Sequence, residues 1–139
     1  MNLDKVLSIS GKPGLYELIS RSKGGFIVKS LNTGKKTAVS IRQNISMLGE
    51  IAIYTYEDET PLYKVFRNIA EKESNQKAID PKSSSNDLKT YFQEVLPDYD
   101  DERVYVSNIK KVLQWYNTLI DLGVTEFVAE KAEEREEKE

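Results

Sequence analysis

Near residue 60 the spacing of apolar residues changes from two to 3.6, and that change predicts an α+β chain with its strands first. Before it, residues 15–56 read as a β-meander. Ser22-Lys23-Gly24-Gly25 separates Leu15–Arg21 from Phe26–Leu31, and Asn32-Thr33-Gly34 separates that run from Lys36–Arg42. Gly and Asn at these junctions suit the positive φ of tight hairpins. In the third run Thr37, Val39 and Ile41 fall on one face and Ala38, Ser40 and Arg42 on the other. Ile51 and Ile53 continue an inward face, which turns Ala52, Tyr54 and Tyr56 outward. Short bent strands must hide their edges. A small SH3-like β-barrel with Leu15, Leu18, Ile27, Val39, Ile41 and Ile53 inside is therefore expected over residues 1–58, ahead of an open meander covered by helices.

From Thr60 onward the pattern is helical, and a C-terminal helical domain of about three helices is expected over residues 59–127. Thr60 is read as an N-cap with Pro61 at the first helical position, and Leu62, Val65, Phe66 and Ile69 form an apolar stripe. Residues 74–86, rich in Ser, Lys and Asn, read as a linker or long loop. A second helix should run from Asn86 to Leu96, where Pro97 stops it. A third should start at Ser107, as N-cap, and end before Gly123, on a stripe of Ile109, Val112, Leu113, Tyr116, Leu119 and Ile120. Residues 128–139 carry Glu and Lys with scattered Ala and no continuous apolar stripe, which predicts a disordered acidic tail.

Composition narrows the chemistry. Cysteine and histidine are both absent, which removes disulfides, thiolate nucleophiles, ordinary zinc sites and every triad built on His. No enzyme activity, metal or cofactor is expected. The apolar runs are short, so no membrane span is expected, and Met1–Leu7 lacks the pattern of a secretory signal; the expected location is cytoplasmic. Charge is divided along the chain. Residues 1–56 hold eight Lys or Arg against three Asp or Glu, a net +5, and residues 57–139 hold twelve against twenty, a net −8. Such a split predicts two surfaces with different partners, or two halves that attract each other.

Candidate motifs reduce to local structure in most cases. Gly11-Lys12-Pro13-Gly14 lacks the spacing of a phosphate loop and reads as a turn. Ser107-Asn108-Ile109-Lys110 matches S-x-x-K without the partner motifs of the acyl enzymes. Asp98–Glu102 is the densest carboxylate run, but as a calcium loop it would put Arg103 where Gly is required. Two surfaces remain. Lys29, Arg42, Tyr54 and Tyr56, flanked by Lys12, Lys35 and Lys36 at turns, could form a nucleic-acid face that combines cations with aromatic platforms. Trp115 sits at the margin of the third helix's stripe, where it could meet a domain or partner interface. The expectation is a non-enzymatic binding or adaptor protein acting through protein–protein contact or self-association. RNA or single-stranded DNA binding through the β-domain is the alternative.

Three stretches carry a resemblance: Leu7–Tyr16, Ala78–Ser83, and Tyr91–Asn117 with Leu96-Pro97-Asp98-Tyr99-Asp100 inside it. Together they resemble an uncharacterised family of short Bacteroidota proteins with two adjacent domains of unknown function and an acidic tail. The resemblance implies a bacterial protein with a β-domain followed by a helical domain. It implies no catalytic residue.

Overall fold

The structure is a computed structural model that describes residues 1–137. The chain divides into two compact units, residues 2–51 with 128–139, and residues 52–127 with Met1. The first is the β-unit. Its strands are β1 (Val6–Ile9), β2 (Tyr16–Ser22), β3 (Gly25–Ser30), β4 (Lys36–Ser40) and β5 (Ile45–Met47), arranged in the order β4-β3-β2-β1-β5 with every pair antiparallel. The hairpins expected at 22–25 and 32–34 are present. β1 and β5 were absent from the expected meander, since four and three residues are too few for alternation to show.

The sheet is open: β4 and β5 are its two edges, and no ladder joins them into the expected barrel. Its apolar face is built by register. Leu7 pairs with Met47, Ile9 with Ile45, Leu18 with Val28 and Phe26 with Val39, and partners in a ladder share a face. Leu7, Ile9, Val28 and Val39 are buried there, with Tyr16, Leu18, Phe26, Ile45 and Met47 packed around them. Gly25 is required by this arrangement, because a Cβ would collide with the Val39 carbonyl of β4.

Two residues predicted inside are not. Ile27 lies on the opposite face from Val28 and is half-buried, and Ile41 is 69% exposed. β4 ends at Ser40, where the chain turns through bonds from Arg42 N–H to Ser40 Oγ (3.1 Å) and from Gln43 N–H to the Ser40 carbonyl (3.0 Å). Beyond the strand the pleat no longer dictates direction, so the alternation that includes Val39 does not carry to Ile41.

Where the sequence predicts a disordered tail over 128–139, the described chain returns to the β-unit and forms a helix; residues 138–139 lie outside the described residues. Val128 bridges to Asn2 in parallel, and the Leu3 N–H donates to the Val128 carbonyl (2.7 Å). A helix over Glu130–Glu137 then packs on the 3-10 turn Leu48–Glu50, with Ala129 and Ala132 buried. Its N-terminus is capped from a distance: Asp4 Oδ2 accepts from Lys131 N–H (3.1 Å). Gly49 is the second glycine that the packing demands, since a Cβ there would strike Asp4. The signal for docking was two alanines, too small to register as an apolar stripe.

The second unit begins with a hairpin of β6 (Ala52–Tyr54) and β7 (Glu59–Pro61), followed by α1 (Leu62–Glu73), α2 (Ser85–Val95) and α3 (Val106–Asp121); the helix of the returning chain is α4. The β-domain boundary expected at 58 therefore falls at 51, and Ile53, placed inside the barrel by its pattern, is buried in the helical unit. Phe66, Tyr116 and Phe127 pack as an aromatic core, with ring centroids 5.3–6.1 Å apart. Thr60 lies in β7 and Pro61 itself takes the N-cap position of α1, without a side-chain bond. Ser84 caps α2, its Oγ accepting from Asp87 N–H (3.2 Å). Ser107 is inside α3, whose first turn is held by Asn108 Oδ1 accepting from Tyr105 N–H (2.9 Å). The connection 74–86 is anchored to α3, through Tyr116 OH donating to the Gln76 carbonyl (2.7 Å) and Ala78 N–H donating to Asn117 Oδ1 (2.7 Å).

Candidate functional site

Residues proposed for a nucleic-acid face are divided between the two units. Lys29 and Lys36 are cross-strand partners in β3 and β4, and Glu17 is partner to Lys29 on its other side, so the three form a row on the sheet's polar face. Lys12, Lys35 and Arg42 lie in turns. Tyr54 and Tyr56 are in the helical unit and share no sheet with the lysines. The expected grouping of Arg42, Lys29, Tyr54 and Tyr56 on neighbouring faces of one barrel is thus corrected: Tyr54 is in β6, which pairs with β7 and never joins the five-stranded sheet, and Tyr56 lies in the turn after β6.

The tyrosines have local partners instead. Backbone bonds from Asp100 N–H to the Tyr54 carbonyl (2.9 Å) and from Tyr56 N–H to the Asp98 carbonyl (3.1 Å) fasten the hairpin to the α2–α3 connection. The Arg103 guanidinium stacks over the Tyr54 ring at 4.3 Å, bonds Asp100 Oδ2 through Nε (2.8 Å), and donates to the Thr55 carbonyl (3.3 Å). Arg103's hydrogen bond, helped by Glu102 N–H, holds the Asp100 carboxyl below its ordinary value. Tyr56 OH donates to Asp101 Oδ1 (3.0 Å), and that bond raises the phenol's pKa. The acidic run that a metal would need is therefore engaged in part with Arg103 and Tyr56. Trp115 is half-buried on α3, beside the fully buried Tyr116.

The β-unit has a cavity that sequence reasoning did not foresee. A groove of about 320 Å³ opens on the apolar face of the sheet, lined by Leu18, Phe26, Ile41, Ile45 and Met47 above a floor at Leu7, with Arg21, Gln43 and Glu50 as its polar lining. A β-bulge at Leu18–Ser20 positions Arg21. One extra residue in β2 shifts the phase, so that Arg21 pairs with Phe26 and comes onto the same face as Leu18. Without the bulge, residues 18 and 21 would point to opposite faces. The Arg21 guanidinium lies 5.5 Å from the Phe26 ring centroid. Ile41, unsupported by any strand, leaves most of its surface in solvent at the groove wall. The only signal in the sequence was the pair of short apolar runs, Ile45–Met47 and Val6–Ile9, that the groove needs as a wall and a floor.

Among the described residues no helix is long and apolar enough to cross a membrane. Residues 3–48 match the family described as "Domain of unknown function (DUF5606)" and residues 51–119 that described as "Domain of unknown function (DUF6852)". The junction between the two matches falls where the β-unit gives way to the helical unit. No curated protein matches the chain. A solution NMR structure from Bacteroides vulgatus, a structural-genomics target, is similar to it with 42% sequence identity and a TM-score of 0.77, over 91% of this chain and 91% of that one. With both domain families in order and that relative aligned over nearly the whole length, the chain belongs to the Bacteroidota family in which these two domains of unknown function stand side by side.

Proposed function

We propose that this chain is a non-enzymatic cytoplasmic binding protein that docks a protein or peptide in the groove of its β-unit. The observation that carries the reading is Ile41, a large aliphatic side chain 69% exposed at the wall of a groove with six apolar and three polar lining residues. An apolar concavity with a few polar groups at its rim is the usual form of a recognition site. The strand order, with β1 between β2 and the last strand, supports reading the sheet as an SH3-like barrel unrolled at the seam between β4 and β5. Helix α4 contributes nothing to the lining, which comes from residues between 7 and 50 and includes Ile45 and Met47 of the edge strand β5.

Capture of partners from a nuclease-treated lysate, with wild type and Ile41→Asp in parallel, tests the proposal. A protein retained by the wild type and lost by the variant supports it; retention by both places the contact elsewhere. RNA or single-stranded DNA is the second reading, favoured by the Lys29–Lys36 pair on the polar face. Its signature is a partner released by nuclease and a steep loss of binding with salt, which Lys29→Ala with Lys36→Ala would flatten by about one to two units of slope.

A further inference from the structure

Three cations belong to the segments that build one end of the groove, and one of them is in its lining. Arg21 lines it, and Lys23 occupies the β2–β3 turn. That turn is tied to the groove wall by Ile41 N–H donating to the Gly24 carbonyl (2.9 Å), and Arg42 follows Ile41 in the chain. Among the described residues none of these three cations pairs with a carboxylate. Glu50 is the one acidic side chain in the lining. The complete β-unit, residues 2–51 with 128–139, carries eleven Lys or Arg against nine Asp or Glu.

We infer that the occupant of the groove is an acidic peptide segment with one or two bulky apolar anchors, a reading that rests on the groove being a docking site. The apolar requirement comes from the walls, which are mostly aliphatic and enclose about 320 Å³, room for one or two large side chains and not for the face of a folded domain. The acidic requirement comes from Arg21 in the lining, with Lys23 and Arg42 exposed in the adjoining turns, whose charges an acidic partner would complement. A nucleobase is a poorer occupant. The groove offers one aromatic ring, Phe26, with the Arg21 guanidinium near it, which is too little to stack successive bases.

The placement of Arg21 strengthens the inference. A bulge of this kind interrupts the ladder between β2 and β3, and here its effect is to bring a guanidinium to the mouth of an apolar cavity. Its bulged residue, Ile19, is 40% exposed and contributes nothing to the core cluster.

Fluorescence anisotropy on the full chain tests the inference with three labelled peptides, acetylated and amidated. The first carries a Leu-Phe pair between acidic triplets, the second replaces the acidic residues with Lys, and the third replaces Leu-Phe with Ser-Ser. The first peptide is expected to bind at least about tenfold more tightly than either of the others at low salt. Arg21→Ala and Arg42→Ala should each weaken it by about three- to tenfold, and Glu50→Gln should tighten it, because a like charge is removed. Ile41→Asp should weaken it by more than about tenfold, with an unchanged amide spectrum to show that the fold persists.

The outcomes separate the inference from the reading beneath it. If the Lys peptide binds as well as the acidic one, and Ile41→Asp abolishes both, the groove docks peptides and the charge preference is overturned. If the Ser-Ser peptide binds as well as the first and Ile41→Asp changes nothing, the groove is not the site and both fail. A single-stranded oligonucleotide that outcompetes the acidic peptide, insensitive to Ile41→Asp and lost with Arg21→Ala and Arg42→Ala, would replace the peptide by a phosphate backbone.

Discussion

Tyr116 combines several roles in one side chain. Its ring belongs to the aromatic core with Phe66 and Phe127, and its hydroxyl anchors the connection after α1 through the Gln76 carbonyl. Burial, assisted by the charge of Glu73, raises its pKa to about 12 from an ordinary 10.0. Tyr91, whose hydroxyl donates to Glu73 Oε2 (2.6 Å), is raised in the same direction by burial and by that carboxylate. Because the folded value exceeds the unfolded one, these phenols contribute stability that is complete below pH 10 and is lost as pH rises toward the folded value. Thermal unfolding followed from pH 8 to 12 should show the melting temperature falling across that window. Tyr116→Phe should cost about 1 kcal/mol at pH 8 through the lost hydrogen bond, and should flatten the alkaline decline. Arg103→Ala makes a second residue-scale test. It removes the stacking on Tyr54 and the bonds to Asp100 and the Thr55 carbonyl together, so the urea midpoint should fall, with Tyr54 fluorescence changing before the main transition.

At the scale of elements, α4 shows how a polar helix can be held by its end. Ala132 is the one apolar residue it has to bury, with Ala129 just before it. What fixes its position is the bridge of Val128 to Asn2 and the Asp4 carboxylate at its first turn, where backbone N–H groups and the helix dipole favour a negative charge. Asp4→Ala should cost about 1 kcal/mol and appear in hydrogen exchange as faster exchange of residues 129–134, with α1 to α3 unaffected. Gly49→Ala should act at the same contact from the other side, by pushing the 3-10 turn away from Asp4. The β6–β7 hairpin is a comparable case: only three residues per strand, held by the Thr55–Tyr99 bridge and the Arg103 bonds.

For the whole molecule, the consequence is that the β-unit is completed by the chain's own last residues. A reading from periodicity alone expects truncation after Phe127 to leave the melting temperature nearly unchanged. The structure predicts otherwise: loss of the Leu3–Val128 backbone bond and of buried Ala129 and Ala132 should cost the β-unit about 2 kcal/mol. Calorimetry of the truncated chain, with amide exchange resolved for residues 2–51, checks this. The tail also alters the charge. Its six acidic and three basic residues bring the +5 of residues 2–51 down to +2 for the complete β-unit. A basic and an acidic stretch of the sequence are thus combined within one unit.

Periodicity by itself determined the class, the order of strands before helices, the two Gly-bearing hairpins and the three main helices to within a residue or two, because long amphipathic stripes and turn residues are local properties. It also determined that Val39 faces inward. It could not decide β1 or β5, which are too short to alternate visibly, nor the phase of β3, where Ile27 and Val28 are equally apolar and the ladder to Leu18 selects Val28. The open edges, the pairing of Tyr54 with β7 in a second sheet, and the return of α4 to Asp4 are long-range facts of pairing. The groove belongs with them. Arg21 reaches Phe26 through a single bulged residue, and only cross-strand register, settled when distant segments meet, determines on which face a side chain lies.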